Sequence, residues 1–353
     1  MDPVTTGLGG ALIGRALPRS KAGPAATLTL TLASIVPDVD IFFQLFDSDP
    51  MAGFTSHRAL THSLLGVPLQ APLVALLVWL VGKDRNYPRL LGLAALGVVF
   101  HLFTDLITSW GTIIYHPFDR ARVAWDLIFI IDFIFTATLL LPHLLAWVYK
   151  RPQKALLRAG LIWAALTAVT ALAIAAVALF LGRPFNGELL ALLSAALALL
   201  FAGPAWRRWG FRQGGAFYAR AGLAVFAAYM LVAFVSHELA LGEVKQFARA
   251  RGLRVEAQGA LPLPLSPFRW SGLILTPDGV YQGFLNVLEG GEPQFALEPS
   301  DDNPYVAEAL RLPATQTYLW FARFPVVRYR EERLRAGPAG GPGRHVVEIT
   351  DRR

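Results

Sequence analysis

The chain has 353 residues, of which 54% are hydrophobic and only 16% are charged, and its mean hydropathy is +0.46. Soluble domains carry about 25% charged residues, so this composition indicates a polytopic membrane protein. The chain has no cysteine, which excludes disulfides and thiolate metal sites and leaves His, Asp and Glu as the strong metal ligands. The formal charge of +7 does not indicate nucleic-acid binding, because the basic residues gather in short loops between apolar segments.

Seven apolar windows predict membrane-spanning helices, since a span needs about 20 residues. In chain order the windows cover about residues 26–46, 64–82, 90–115, 127–149, 159–182, 187–204 and 218–241. The first window could instead end as a re-entrant segment at the Pro-Asp-Val-Asp stretch. Clusters of Lys and Arg fall in alternate gaps, so the positive-inside rule predicts a cytoplasmic amino terminus and an extracytoplasmic tail.

The composition changes after about residue 242, where the long apolar runs stop. The stretch SGLILTPDGVYQGFLNV predicts two strands joined by a Pro-Asp-Gly turn, TQTYLWFARFPVVRYR and HVVEIT predict further strands, and NPYVAEALRL predicts a short helix. The predicted fold class is therefore mainly α, with two domains. A helical transmembrane domain covers residues 1–242, and a small β-rich extramembrane domain covers residues 243–353.

Eight ionisable residues stand in or beside the first four windows, where a hydrocarbon environment penalises them. His101 and Asp105 are four residues apart, which places both side chains on one face of a helix. The predicted topology puts the whole set on the outer side of the bilayer: Asp38, Asp40, His57, His62, His101, Asp105, Asp126 and Asp132. Carboxylates and imidazoles around a dication neutralise one another, whereas isolated ones would be protonated or expelled. We therefore predict a divalent metal site, with zinc preferred, manganese or iron as alternatives, and room for a pair of metals.

Two other uses of these residue types stay open. A transporter can hold a proton or ion relay of Asp and His, although the chain shows no pair of interrupted, repeat-related helices. Arg58, Arg120 and Arg122 lie in the same gaps and could clamp an anionic group such as a phosphate. Pairing with Asp119 or with lipid headgroups is the alternative for these arginines.

Four ordered blocks, MDPVT, PDVD with HRALTHS, HLFTDLITSWGT and WDLIFIID, resemble the bacterial inner-membrane metal-dependent hydrolases of the YdjM type over roughly residues 1–150. The resemblance implies a multi-pass inner-membrane hydrolase whose metal is held by the histidines and aspartates of those blocks. Family members commonly begin Asp-Pro-x-Thr-His, whereas Thr6 takes the place of the histidine here. If that histidine is a ligand elsewhere, this site holds fewer metals. The helical HxxxD arrangement is also similar to that of all-helical zinc phospholipases and nucleases, which favours a phosphoester or lipid substrate.

The sequence thus predicts a membrane-bound metal-dependent hydrolase that acts at the extracytoplasmic face through a metal-activated water, with the lipid bilayer as its surroundings and no nucleic-acid partner. The predicted metal ligands are Asp38, His57, His62, His101, Asp105 and Asp126. Asp132 or Asp40 would be the general base, and Arg58, Arg120 and Arg122 would bind the substrate. The alternative is a non-enzymatic membrane scaffold or transporter with a structural or relict metal site.

Overall fold

The computed structural model describes residues 1–18, 23–44, 46, 49, 51–55, 57–180, 184–289, 293–333 and 343–353. The α-helices are α1 (Pro3–Ala16), α2 (Pro24–Ala33), α3 (Asp40–Gln44), α4 (Ala52–Thr55), α5 (Gly66–Val81), α6 (Tyr87–Leu106), α7 (Phe133–Val148), α8 (Ala155–Phe180), α9 (Gly187–Ala202), α10 (Trp209–Arg212), α11 (Gly215–Ala250), α12 (Pro304–Ala309) and α13 (Pro313–Phe321). Short 3₁₀ helices cover Val36–Val39, Leu60–His62, Pro152–Lys154 and Gly203–Arg208.

Four helical segments are long and apolar enough to cross a membrane, within the part of the chain that the structure describes: Tyr87–Leu106, Pro152–Ala176, Gly187–Trp206 and Gly215–Ala250. Two bent pairs raise this number to six if each pair is one span: Pro24–Ala33 with Val36–Phe42, bent by 47°, and Ala52–His62 with Gly66–Val81, bent by 69°. The fourth predicted window holds α7, an apolar helix of only 16 residues. The protein is therefore a polytopic helical membrane protein, but the predicted number of seven spans is not confirmed.

The bend in the first pair follows from the sequence between its two halves. Pro37 lies in the first turn of the second half, and a proline lacks the N–H that a continuous helix needs. The helix α2 accordingly ends at Ala33, and the chain turns through Ser34 before the Pro-Asp-Val-Asp stretch begins. The turn places Asp38 and the residues after it at an angle to α2.

The centre of the bundle is formed by α1, α2 and α6, which pack closely through small residues. A Cβ on Gly97 of α6 would lie 2.6 Å from the Cβ of Ala33 and 3.0 Å from the carbonyl oxygen of Leu30, and a Cβ on Gly10 of α1 would overlap the same carbonyl. In lipid there is little hydrophobic driving force between helices, so they associate mainly through van der Waals contacts. Small residues strengthen these contacts because they let the helix backbones approach closely. The contact brings the carboxyl end of α2 against the last turns of α6.

The helix α1 lies outside the seven predicted windows. It begins where Asp2 accepts a hydrogen bond from the backbone N–H of Thr5, with Pro3 in its first turn.

The helices α8 and α9 are the most exposed of the membrane-spanning candidates, since only 6% of the apolar window in each is buried. These two helices pack on each other and leave their remaining apolar faces for lipid.

The tail continues from α11, which runs to Ala250 before the first strand begins. The strands β1 (Ala257–Pro262), β2 (Arg269–Thr276), β3 (Gly279–Asn286) and β4 (Phe295–Pro299) form an antiparallel sheet in that order, and β5 (Pro325–Arg333) pairs with β6 (Gly343–Asp351). The sheet packs on the end of α11, where Trp270 and Ile274 contact Val244. The predicted Pro-Asp-Gly hairpin is confirmed as β2–β3. The stretch TQTYLWF, which we expected to be a strand, lies instead in the helix α13.

Candidate metal centre

Four ionisable side chains meet where two helical breaks face the end of α6. Asp38 comes from the 3₁₀ helix after α2, His62 from the 3₁₀ helix before α5, and His101 and Asp105 from the last two turns of α6. The side chains of His62, His101 and Asp105 are fully buried, and Asp38 is 6% exposed. We call these four residues the Asp/His cluster.

The nitrogen–oxygen distances within the cluster are in the range found between ligands of one metal ion. The Nε2 atom of His62 lies 3.3 Å from Asp38 Oδ1 and 3.3 Å from Asp105 Oδ2. The Nε2 atom of His101 lies 3.6 Å from Asp38 Oδ1 and 3.4 Å from Asp105 Oδ2. Ligands placed about 2.0–2.1 Å from one tetrahedral zinc ion are about 3.3 Å from one another. Asp38, His62 and His101 alone already offer three atoms close enough to share one ion.

The hydrogen-bonding state of His101 identifies which of its nitrogens can bind a cation. Its Nδ1 atom lies 2.7 Å from the carbonyl oxygen of Ser34, and a carbonyl can only accept, so Nδ1 carries the proton. The Nε2 atom then turns a lone pair toward the carboxylates of Asp38 and Asp105. Within the cluster, three buried atoms have no hydrogen-bond partner among the described residues: His101 Nε2, Asp38 Oδ2 and Asp105 Oδ2. Buried lone pairs without a donor are costly, and a divalent cation would satisfy them.

Asp40 lies behind the cluster and holds two of the histidines. Its Oδ2 accepts hydrogen bonds from the Thr61 hydroxyl at 3.0 Å and the Arg58 backbone N–H at 3.2 Å, and it lies 3.4 Å from His62 Nδ1. Its Oδ1 lies 3.1 Å from Nδ1 of His57. A carboxylate on the far nitrogen of a histidine is the usual outer contact of a metal-binding imidazole. His57 therefore does not face the cluster through Nδ1, and 18% of its side chain is exposed.

The other oxygen of Asp105 is surrounded by positive groups. Arg58 Nη2 lies 3.0 Å from Asp105 Oδ1, and the amino nitrogen of Met1 contacts the same oxygen. Arg58 has a left-handed backbone with φ of 59°, which is uncommon for a residue with a side chain and is found often at functional sites. The Ser34 carbonyl, the Thr61 hydroxyl and the Met1 amino group were not found from the sequence, because backbone groups and small hydroxyls carry no distinctive pattern.

Asp126 and Asp132 do not join the cluster. The carboxylate of Asp126 accepts two hydrogen bonds from Arg323 of the tail, at 2.6 and 2.8 Å. Asp132 caps α7 by accepting from the backbone N–H groups of Ile134 and Phe135, and its second oxygen accepts from the Tyr229 hydroxyl. Both carboxylates are thus satisfied by partners of their own.

Of the three arginines predicted to bind substrate, only Arg58 reaches the cluster. Arg122 donates to the carbonyl oxygens of Trp110 and Gly111, at 3.1 and 2.8 Å, and stacks over Phe321 of α13. Its burial, together with the positive charges of Arg353 and Arg58, lowers its pKa to about 9, so it stays protonated at neutral pH. Arg120 is exposed and lies 4.8 Å from the ring centre of Trp320.

The tail covers this end of the bundle. Phe321 lies 4.6 Å from the ring centre of Phe54 and 5.1 Å from that of Trp110, and Arg353 donates to the Trp110 carbonyl at 2.9 Å. Together with the pair between Arg323 and Asp126, these contacts join α13 and the strands near it to the loop of residues 107–132 that follows α6. The tail and the cluster therefore share one end of the protein.

The model of the YdjM inner membrane protein family matches residues 1–180, about half of the chain, and this part contains the whole cluster. The uncharacterized protein YfhP of Bacillus subtilis (strain 168) is 31% identical over 116 residues. This similarity covers 32% of the present chain and 35% of YfhP, so the chain spans about a third of the length of that relative. No solved structure matches the chain.

Proposed function

The chain belongs to the YdjM inner membrane protein family, and on that basis and from its buried cluster we propose that it is a membrane-bound metal-dependent hydrolase. One observation carries the proposal: each of two imidazole nitrogens lies 3.3–3.6 Å from each of two carboxylate oxygens, and three buried atoms of the cluster have no hydrogen-bond partner among the described residues. This set of nitrogen and oxygen donors, without sulfur, suits zinc first and manganese or iron next.

The residues divide into those that would hold the metal and those that would act on the substrate. Asp38, His62, His101 and Asp105 would hold the ion, and Asp40 would orient His62 through its Nδ1. A bound divalent cation supplies Lewis acidity, which polarises a phosphoester and lowers the pKa of water.

We assign proton transfer to His57, with Asp40 as its positioning residue. Asp40 Oδ1 occupies the Nδ1 side of the ring, so Nε2 is the nitrogen that can take a proton from the attacking water. As the water oxygen bonds to phosphorus, the bond to the leaving oxygen breaks, and the imidazolium of His57 returns the proton to that oxygen. Arg58, beside Asp105, would balance the negative charge of the phosphoryl group. We prefer His57 to Asp40 and Asp132 as the base, because Asp132 uses one oxygen to cap α7 and the other to accept from the Tyr229 hydroxyl.

A phosphoester or lipid-like substrate at the extracytoplasmic face fits the surroundings of the cluster. The cluster lies beside the guanidinium of Arg58, which suits an anionic group, and it belongs to a bundle with lipid-facing helices. The far end of the same bundle carries basic residues such as Arg15, Lys150 and Arg151, which the positive-inside rule places in the cytoplasm.

The test is a panel of phosphoesters and phospholipids, assayed on purified protein with and without a chelator. We expect chelator-sensitive turnover that returns when zinc or manganese is added back. The variant His101→Ala should be inactive, and His345→Ala, which changes an exposed histidine of the tail, should be fully active. Turnover that survives complete metal removal would exclude the proposal.

A structural metal site in a non-enzymatic scaffold or transporter is the second candidate. It is favoured by the full burial of His62, His101 and Asp105, because structural zinc sites are closed whereas catalytic sites keep an open position. A scaffold would lose thermal stability on chelation and would show no turnover across the whole panel.

A further inference from the structure

A cavity of about 970 Å³ lies at the end of the bundle opposite the Asp/His cluster. It is an open cavity bordered by the carboxyl ends of α1 and α7 and the amino ends of α2 and α11. The 14 residues of α1 span about 20 Å, so this cavity is separate from the cluster near Met1. Its volume is in the range of sites that bind whole small molecules.

The cavity is positively charged. Arg15 and Lys150 line it, and none of its described lining residues is Asp or Glu. Arg15 Nη1 lies 2.9 Å from Nδ1 of His143, which is a neutral contact and not an ion pair. Neither cation forms a salt bridge with the described residues, so both charges are available to an anion.

Backbone groups at the same place add to this charge. Gly23 and Gly214 are the N-cap residues of α2 and α11, and neither helix has a side chain that caps its first N–H groups. Uncapped amino ends carry a partial positive charge and free donors, which favour an anion beside them. The two helix ends therefore add to the positive charge of the cavity, most of which comes from Arg15 and Lys150.

The rest of the lining is apolar. Leu28, Trp147 and Phe211 form part of the wall, and Trp147 is half exposed, as is usual for the tryptophans that membrane proteins place at the lipid interface. A free phosphate would use the two cations and leave this apolar wall uncovered. A phospholipid matches both parts, because its headgroup is anionic and its chains are hydrocarbon.

We propose that this cavity binds an anionic phospholipid, with the phosphate held by Arg15 and Lys150 and an acyl chain against Leu28, Trp147 and Phe211. Basic pockets between membrane helices are known to receive such headgroups. The site is independent of the hydrolase proposal, because it lies at the other end of the helices and shares no residue with the cluster.

Native mass spectrometry of the detergent-solubilised full chain tests the site, with phosphatidylglycerol, phosphatidylcholine and inorganic phosphate as probes. The double variant Arg15→Gln/Lys150→Gln is compared with Arg151→Gln/Lys154→Gln, which removes two exposed charges just beyond α7 and outside the cavity. Each basic side chain near an anionic headgroup contributes about fivefold in affinity, so the cavity variant should bind phosphatidylglycerol about 30-fold more weakly. The control variant should bind it as the wild type does.

Three results would overturn the site: equal weakening in both variants, phosphatidylcholine binding as tight as phosphatidylglycerol, or displacement of the lipid by inorganic phosphate. Thermal unfolding of each variant reports whether the bundle is intact. If the charge variant fails to fold, Ala11→Phe decides the question by narrowing the cavity one turn from Arg15 while the charges remain. Undiminished phosphatidylglycerol binding in Ala11→Phe would overturn the proposal.

Discussion

The Nδ1 atom of His101 lies 2.7 Å from the carbonyl oxygen of Ser34, which ties a candidate metal ligand on α6 to the end of α2. The carbonyl is free to accept because α2 stops at Ala33. The end of α2 therefore determines how the imidazole ring of His101 is oriented. Metal affinity should depend on how α2 and α6 pack as well as on the ligands themselves.

Removal of a ligand from α6 should remove the metal. In His101→Ala or Asp105→Ala, two of the four short nitrogen–oxygen distances disappear, and affinity should fall by more than the roughly 10–100-fold lost when an outer contact is removed. Inductively coupled plasma mass spectrometry of purified protein measures the bound metal. His345→Ala serves as the control, and full metal content in both ligand variants would contradict the assignment.

Packing between α2 and α6 can be tested with two glycines on one helix. Gly97→Ala places a Cβ 2.6 Å from that of Ala33, and overpacking of this kind typically costs about 1–3 kcal/mol. Gly92→Ala meets no atom within 4 Å and should be neutral or stabilising by up to about 1 kcal/mol. Thermal unfolding should separate the two variants, and Gly97→Ala should also bind metal more weakly. Equal melting temperatures would show that α6 has room to shift.

The roles of His57 and Asp40 should separate when binding and turnover are measured together. His57→Ala should keep its metal and lose about 100- to 10,000-fold in kcat, because only proton transfer is removed. Asp40→Asn should lower both kcat and metal affinity, the latter by about 10–100-fold, since Asp40 also orients His62. Loss of metal in His57→Ala would make His57 a ligand, as the sequence first suggested.

The two-point ion pair between Arg323 and Asp126 should stabilise the docked tail. A double-mutant cycle with Arg323→Gln and Asp126→Asn should give a coupling of about 1–3 kcal/mol, because the pair is bidentate and Asp126 is buried. The more exposed pair of Arg352 and Glu298 should give less than about 1 kcal/mol. Similar values for both pairs would mean that the tail is held mainly by its aromatic contacts.

The orientation in the membrane can be tested cleanly, because the natural chain has no cysteine. Arg328→Cys places a thiol on the exposed side of β5, and Lys83→Cys places one at the opposite end of the bundle, after α5. A membrane-impermeant maleimide should label Arg328→Cys in intact cells and Lys83→Cys only after lysis. The reverse pattern would put the cluster and the tail in the cytoplasm.

Most of the helical framework could be predicted from the sequence, because long apolar runs must form helices in a bilayer. Each of the seven windows contains a helix, yet the number of spans does not follow, since Pro37 bends the first and α7 is short. The helix α1 was not predicted, because its glycine-rich sequence is not hydrophobic enough to stand out by hydropathy. Its glycines instead allow close packing against neighbouring elements.

The candidate site was predictable in part. His101 and Asp105 are four residues apart, so the sequence alone predicts that both lie on one face of a helix. In the structure, Asp38 and His62 lie beside them. The partners of Asp126 and Asp132 lie 197 and 97 residues away along the chain, in the tail and in α11. Local patterns carry no information about partners at such separations, so these two carboxylates looked the same as the ligands.

The chain order of the cluster has a consequence for biogenesis. All four of its side chains have been synthesised by residue 105, whereas Arg323, which fastens the tail over that end, emerges more than 200 residues later. The amino-terminal helices that carry the cluster therefore enter the membrane before the tail can dock over that end. The docked tail would then slow the exchange of a bound cation in the mature protein without preventing it, so the nascent chain offers the shorter route to the cluster.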